Sequence, residues 1–284
     1  MCWLCDQYGD PSYGQGLWYL NPRNFSRNMY KLRAPGEGFS GVLAGGGETG
    51  AAAPGPKLPE LLDALEKSKE DFERVRTEWH ESVQNAGGSS QVVPLGDADK
   101  VLELCSPIGL IDCVCRKMFR AGDERSEGEY TCMGMGVGML KWERWPERYK
   151  GGVKFVNLDE AKEWNHEMDR RGFVHILMLF GAPYIGGFCQ CEYPDCEQIR
   201  MAVDFGLLLT KGHYVAVVDY DKCNGCAICA QRCQFGALKY EVGIKKANID
   251  QLRCYGCGLC ETACPRDAIT LLERKTVPAL AEVW

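Results

Sequence analysis

The chain has little histidine, no long apolar run and no excess of basic charge, and each shortage closes off a class of function. Among its 284 residues there are four histidines, His80, His166, His175 and His213, and none stands at a metal-binding spacing from another. Isolated histidines of this kind read as structural, His80 and His166 on solvated helix faces and His175 and His213 flanking strands. Lys and Arg number 33 against 39 Asp and Glu, for a net charge of −6. That argues against nucleic acid as the main partner, because phosphate binding demands a basic face. No stretch approaches the roughly 18 consecutive apolar residues of a membrane span. The opening MCWLCDQYGD has neither the basic region nor the apolar run of a secretory signal, so a cytoplasmic location is expected. The GGGETG at 45–50 lacks the Lys-Ser/Thr of a phosphate-binding loop. No flavin or nicotinamide fingerprint is present, which leaves those cofactors to partners.

Cysteine is abundant instead. Seventeen cysteines at irregular spacing make a poor disulfide framework, and in a reducing compartment short-spaced groups of them point to metal. The chain divides into four parts. Residues 1–56 are an extended segment, aromatic at first and rich in Gly, Ala and Pro over 34–56. Residues 57–88 hold an amphipathic helix over 58–85, with Leu58, Leu61, Leu65, Phe72, Val75 and Trp79 on one face and Ser68 interrupting the stripe. Residues 97–210 form a cysteine-rich mixed α/β domain. There Asp97 is expected to cap a helix ending before Pro107, and Asn157 with Glu160 to open a helix stopped by Gly172. Val174–Phe180 reads as a buried strand, followed by a helix from Pro194 to about Thr210. Residues 211–284 are the fourth part.

That part is a duplication. At an offset of 31, Cys223, Cys226, Cys229 and Cys233 fall on Cys254, Cys257, Cys260 and Cys264. Asp219 falls on Asp250, Gly225 on Gly256, Ala237 on Ala268 and Leu238 on Ile269. Each copy reads Cys-x2-Cys-x2-Cys-x3-Cys. Cysteines two residues apart let a tight loop wrap one iron–sulfur cube, and Gly225 and Gly256 give the loop its turn. Soft thiolate sulfur is the preferred ligand for such iron. Zinc held by paired Cys-x2-Cys units is the competing reading.

This region resembles the bacterial two-cluster [4Fe–4S] ferredoxin family. The resemblance implies an α+β module with pseudo-two-fold symmetry, strands near Tyr214–Asp219, Leu238–Glu241, Ala247–Asp250 and Ile269–Leu272, and crossed ligation. Cys223, Cys226 and Cys229 would then share a cluster with Cys264, and Cys254, Cys257 and Cys260 would share the other with Cys233. Pro265 follows Cys264 as the family expects, but Gln234 stands where a proline would follow Cys233.

Six further cysteines lie upstream, Cys113, Cys115, Cys132, Cys189, Cys191 and Cys196. Their order, with Arg116 after Cys115 and glycines after Cys132, is similar to longer ferredoxin-type proteins of anaerobic bacteria and archaea, and the combined resemblance spans residues 105–275. The residues themselves allow a third [4Fe–4S] cluster, a zinc site or reduced buried thiols within 105–200. Gly134, Gly136 and Gly138 would let backbone approach a cluster. Cys2 and Cys5 form a lone Cys-x2-Cys that would complete a zinc or cluster site. Cys105 reads as core. Trp142 and Trp145 with Arg144 and Arg148 form an aromatic–basic patch, for internal stacking or for a partner. The expected function is an electron-transfer subunit. It would relay single electrons between a donor and a partner oxidoreductase, flavin- or metal-containing, without catalysis of its own. The alternative is an iron–sulfur reductase whose own site is built from the middle cysteines.

Overall fold

The structure, a computed structural model, describes residues 58–85, 90–113, 130–139, 153–179, 185–206 and 209–282. The readings of Cys2, Cys5, the Gly/Pro-rich segment, Cys115, Arg116 and the Trp142–Arg148 patch fall outside these residues.

The amphipathic stretch forms two helices rather than one, α1 (Leu58–Lys67) and α2 (Lys69–Asn85). The break is chemical. The Ser68 hydroxyl oxygen accepts the Asp71 N–H at 3.0 Å, as an N-cap does, so the residue that interrupts the apolar stripe also restarts the helix.

The middle of the chain is a sheet with helices on both faces. Its elements are β1 (Ser90–Val92), α3 (Leu95–Glu103), β2 (Ile108–Asp112), β3 (Tyr130–Met135), β4 (Val153–Val156), α4 (Leu158–Arg171), β5 (Val174–Leu179), β6 (Ile185–Cys191), α5 (Glu197–Phe205) and β7 (Leu209–Thr210). Among the described residues the strand order is β4-β2-β3-β6-β5-β1-β7, all antiparallel pairs except β1 with β7. Asn157 caps α4 through the reciprocal box with Glu160, and Gly172 ends it at φ 92°, both as the sequence indicates. Two boundaries differ from expectation. Asp97 sits inside the first turn of α3, bonded to Lys100 at 3.0 Å, because the helix already starts at Leu95 behind Pro94. The helix expected to reach Thr210 stops at Phe205, since Gly206 turns at φ 68°, and Thr210 belongs to β7.

Period-two alternation sorts the sheet into two faces. Leu110, Met133, Leu177 and Phe188 pack with Ala98, Leu102 and Ala161 of α3 and α4. The opposite residues, Val174, Ile176, Cys189 and Cys191, pack with Ile199 and Ala202 of α5. On the face covered by α3 and α4, a buried polar ladder holds α4 to the strands. His175 Nδ1 donates to the Gln190 side-chain oxygen, Gln190 Nε2 donates to Asn165 at 2.7 Å, and Asn165 Nδ2 donates to Asp99 at 2.9 Å. The imidazole is fully buried; its bond to Gln190 offsets part of that cost, while its other nitrogen stands 3.4 Å from Asp169 without a hydrogen bond.

The last part contains β8 (Tyr214–Val218), α6 (Ile228–Arg232), β9 (Leu238–Glu241), β10 (Lys246–Ile249), α7 (Leu259–Thr262) and β11 (Ile269–Glu273). Strand β8 pairs with β11 and β9 with β10, both antiparallel. The four strands lie within a residue of where the family resemblance implies them. The chain thus mixes helix and strand with the strands largely antiparallel, an α+β architecture.

Candidate metal centre

The two cysteine loops are built alike, atom for atom in several places. Asp219 accepts the N–H groups of Asp221 and Lys222 at 3.0 and 3.3 Å, and Asp250 accepts those of Leu252 and Arg253 at 3.1 and 3.3 Å. The Asp219 N–H donates to the Ala268 carbonyl and the Asp250 N–H to the Ala237 carbonyl, each at 2.8 Å, so each half is tied to the other. Gly225 and Gly256 take φ of 74° and 72°. A Cβ on Gly225 would lie 2.2 Å from the Lys245 carbonyl oxygen, and one on Gly256 2.2 Å from that of Tyr214. No side chain fits such a gap, which is why glycine stands second after the first cysteine of each run.

Six of the eight cysteines, Cys223, Cys229, Cys233, Cys254, Cys260 and Cys264, gather round one core with Val215, Ala237, Leu238 and Ile269. Cys229 lies within electrostatic reach of Cys226 and Cys264, and Cys257 within reach of Cys254 and Cys233. A single apolar hollow is lined by Cys254, Cys257, Cys260 and Cys233, together with Phe235 and Leu259. Burial pushes the Cys257 and Cys260 thiols far above their ordinary range, with neighbouring cysteines adding to the effect. Thiolates are costly there unless a cation compensates them, and iron is such a cation. Among the described residues, no three Cys, His, Asp or Glu side chains close round a single metal ion. A cube of iron and sulfide needs its thiolates apart, one on each iron. The donor set therefore fits an iron–sulfur cluster. The Cys264 sulfur also accepts the Ala268 N–H at 3.3 Å, the kind of hydrogen bond that tunes such clusters.

Residues 222–268 match the family model of the 4Fe-4S dicluster domain. The match lies wholly within the last part of the chain and indicates [4Fe–4S] chemistry and iron–sulfur electron transfer there. Bound to such thiolates, a cluster carries one electron at a time. No curated protein matches the chain. Among the described residues, no helix is long and apolar enough to cross a membrane.

Five of the six middle cysteines are strung along one face of the sheet. Cys132 on β3 stands opposite Cys189 on β6, with their sulfurs 3.7 Å apart. Cys113, just beyond β2, bonds the Cys132 thiol, and Cys191 bonds both Cys189 and Cys196. Cys132 is pushed well up by its bonds to Cys113 and Cys189, and Cys191 by burial first and then by its cysteine neighbours. The Cys189 sulfur also lies 3.2 Å from that of Met178. Gly134, one of the three glycines expected to let backbone approach a cluster, does not leave that room. The space beside Gly134 is filled by Met139, whose sulfur would stand 2.2 Å from an added Cβ. Cys105 is partly buried against the α3/α4 core, outside the cores that hold other described cysteines.

Two contributors escaped the sequence reading. Gln234, the departure from proline, joins the last part to the sheet. Its amide nitrogen donates to the Gly172 carbonyl at 2.5 Å and, more weakly, to that of Cys191 at 3.4 Å, while its oxygen accepts the Tyr193 N–H at 2.6 Å. Proline supports none of these bonds. Arg274 is fully buried beside Cys254. The hint of the first was the broken family pattern; the second left no signal beyond a lone arginine after a strand.

Proposed function

We propose that the chain is an electron-transfer subunit relaying single electrons through two [4Fe–4S] clusters in residues 211–284, with a third in 97–210. The observation that carries this is the apolar hollow lined by Cys254, Cys257, Cys260 and Cys233. Three of these cysteines come from the second run and one from the first, as crossed ligation requires. The proximity of Cys264 to Cys229 supports the complementary set, Cys223, Cys226, Cys229 and Cys264. The reciprocal Asp219–Ala268 and Asp250–Ala237 bonds support a pseudo-two-fold relation between the halves. The face bearing Cys113, Cys132, Cys189, Cys191 and Cys196 supplies more than four thiols for the third cluster. Cys189, Cys191 and Cys196 share a core with Cys233 and Cys257, so the third site adjoins the second cluster rather than the first.

The residues divide the labour. Cysteines hold the irons, the glycines let backbone close over them, and Leu259, Phe235 and Ile249 exclude water. Cys226 is exposed whereas Cys254 is buried, so the Cys226 side is the port where a redox partner exchanges electrons. The partner is an oxidoreductase carrying its own flavin or metal, and residues 1–88 hold the chain in that complex in the cytoplasm.

Anaerobic reconstitution followed by iron and sulfide counting tests the reading. About twelve irons per chain are expected for three clusters, and about eight with zinc would restrict the reading to two. Colourless protein without iron or sulfide overturns it. Turnover of a small molecule by the isolated protein would replace the subunit with a reductase.

A further inference from the structure

Arg274 is the largest of the fully buried side chains, and its charge has no matching carboxylate among the described residues. Its hydrogen bonds all go to backbone carbonyls. Nε donates to Gly212 at 3.1 Å, and Nη2 donates to Tyr214 at 2.9 Å and to Cys254 at 2.8 Å. Nη1 is buried without a partner. An arginine stays charged at any pH a protein survives, and a buried charge without a counter-ion is strongly unfavourable. Carbonyl dipoles alone are a thin compensation. An anion belongs nearby, and Cys254, whose carbonyl the guanidinium already bonds, would supply it as a thiolate holding iron. Lys211 crowds the same corner. Its ammonium donates to the Leu252 carbonyl at 2.6 Å and stands 5.7 Å above the Tyr255 ring.

The other half has lysines at 245 and 246, neither of them buried, but among the described residues it has no buried cation at the matching positions. At the offset of 31, the position matching Arg274 is Gly243, and that matching Lys211 is Val242. Gly256 packs on the Tyr214 carbonyl that Arg274 also bonds, whereas Gly225 packs on the Lys245 carbonyl with no arginine behind it. The duplication is therefore broken in charge where it is kept in shape.

Resting on the two-cluster reading, we propose that Arg274 is a positioning residue whose fixed buried charge raises the reduction potential of the cluster held by Cys254, Cys257, Cys260 and Cys233, and leaves its sister nearly untouched. Burial in apolar surroundings opposes adding an electron to that cluster; a positive charge behind Cys254 favours it. The effect makes the enclosed cluster, the one that shares a core with Cys189, Cys191 and Cys196, a reachable destination for an electron entering on the exposed side.

The test is a redox titration of the reconstituted full chain followed by paramagnetic resonance. Cys226→Ser first identifies which reduction step belongs to the exposed cluster. Arg274→Gln, Arg274→Lys and a semisynthetic chain with citrulline at 274, joined at Cys264, are then compared. Citrulline puts an oxygen at a terminal nitrogen such as the unpartnered Nη1 and keeps the other donors, so it removes charge while retaining shape, and it decides the matter if the glutamine variant does not assemble. The neutral variants are expected to lower only the enclosed cluster's step. The sharing of the first electron should shift by about tenfold or more toward the exposed cluster. Lysine should hold near the native value. Loss of the enclosed cluster alone in the citrulline chain counts the same way, since charge is what was removed. Equal movement of both steps, movement of neither, or a lysine variant that falls as far as citrulline overturns the proposal. A native chain that takes up no iron sinks the two-cluster reading itself, a result distinct from all of these.

Discussion

Replacing Gln234 with alanine should loosen the last part of the chain from the sheet while leaving its iron in place. The native amide makes two short bonds, to the Gly172 carbonyl at 2.5 Å and from the Tyr193 N–H at 2.6 Å, with a weaker third to Cys191 at 3.4 Å. Each net bond contributes about 1 kcal/mol, so the variant forfeits about 2 kcal/mol of docking, or roughly 30-fold in the local opening equilibrium. The neighbouring Phe235 remains buried in the shared core and stacked on Tyr255 at 4.1 Å, which limits the damage to local opening. Hydrogen exchange read by mass spectrometry on the anaerobic holoprotein measures this directly. Peptides containing Tyr193 and Phe173 should exchange roughly 30-fold faster, and peptides across 223–229 should not change. Gln234→Pro, which restores the residue the ferredoxin pattern expects, should behave like alanine at the junction. Unchanged exchange at Tyr193, or a loss of iron with the junction still closed, would refute the reasoning.

Gly225→Ala and Gly256→Ala should each cost more than about 2 kcal/mol, because left-handed strain adds to a Cβ placed 2.2 Å from a carbonyl. Gly243→Ala, whose nearest neighbour would be 3.6 Å away, is the control, and denaturation midpoints with iron content distinguish them. Cys264→Ser should alter the same resonance signal as Cys226→Ser although it lies in the other run; agreement with Cys257→Ser instead would remove crossed ligation. The Asp219 carboxyl is held below its usual range mainly by the Lys222 N–H, with the Asp221 N–H also accepted. A group whose folded pKa is depressed adds stability above its unfolded value, about 4, and loses it as pH falls through the folded one. Asp219→Asn should therefore flatten the acid limb of the stability profile, and an unchanged limb would dismiss the contribution.

The parts of this molecule set by local chemistry were legible in its sequence. The duplicated cysteine runs and their glycines follow from spacing and repeat, the four short strands from the family resemblance those runs carry, and the Asn157–Glu160 box declared its helix. What escaped depends on distant partners. Ser68 looked like a flaw in a stripe because capping needs the Asp71 N–H, which only a turn brings near. Gly134 looked like room for a cluster because the sequence does not show Met139 folding back over it. Of the middle cysteines, their number was plain but their shared face was not. It takes the β3–β6 register to set Cys132 against Cys189, and the period of two to bring Cys191 to the same side.

The junction between the two parts is where these observations meet. Gln234, Gly212 and Gly258 all press the second cysteine run's surroundings against the sheet: Gly212 donates to the Tyr255 carbonyl at 2.8 Å, and a Cβ on Gly258 would lie 3.2 Å from Pro94. Among the described residues the first run meets the sheet only at its Cys233 end, through Arg232, Cys233 and Gln234, while its Cys226 faces water. A duplicated module on its own has no reason to prefer one end. Packing one half against a row of sheet cysteines, and placing Arg274 behind that half alone, gives the pair an inside and an outside. On the two-cluster reading proposed above, burial and charge make the two ends unequal, one enclosed beside the sheet cysteines and one open to a partner.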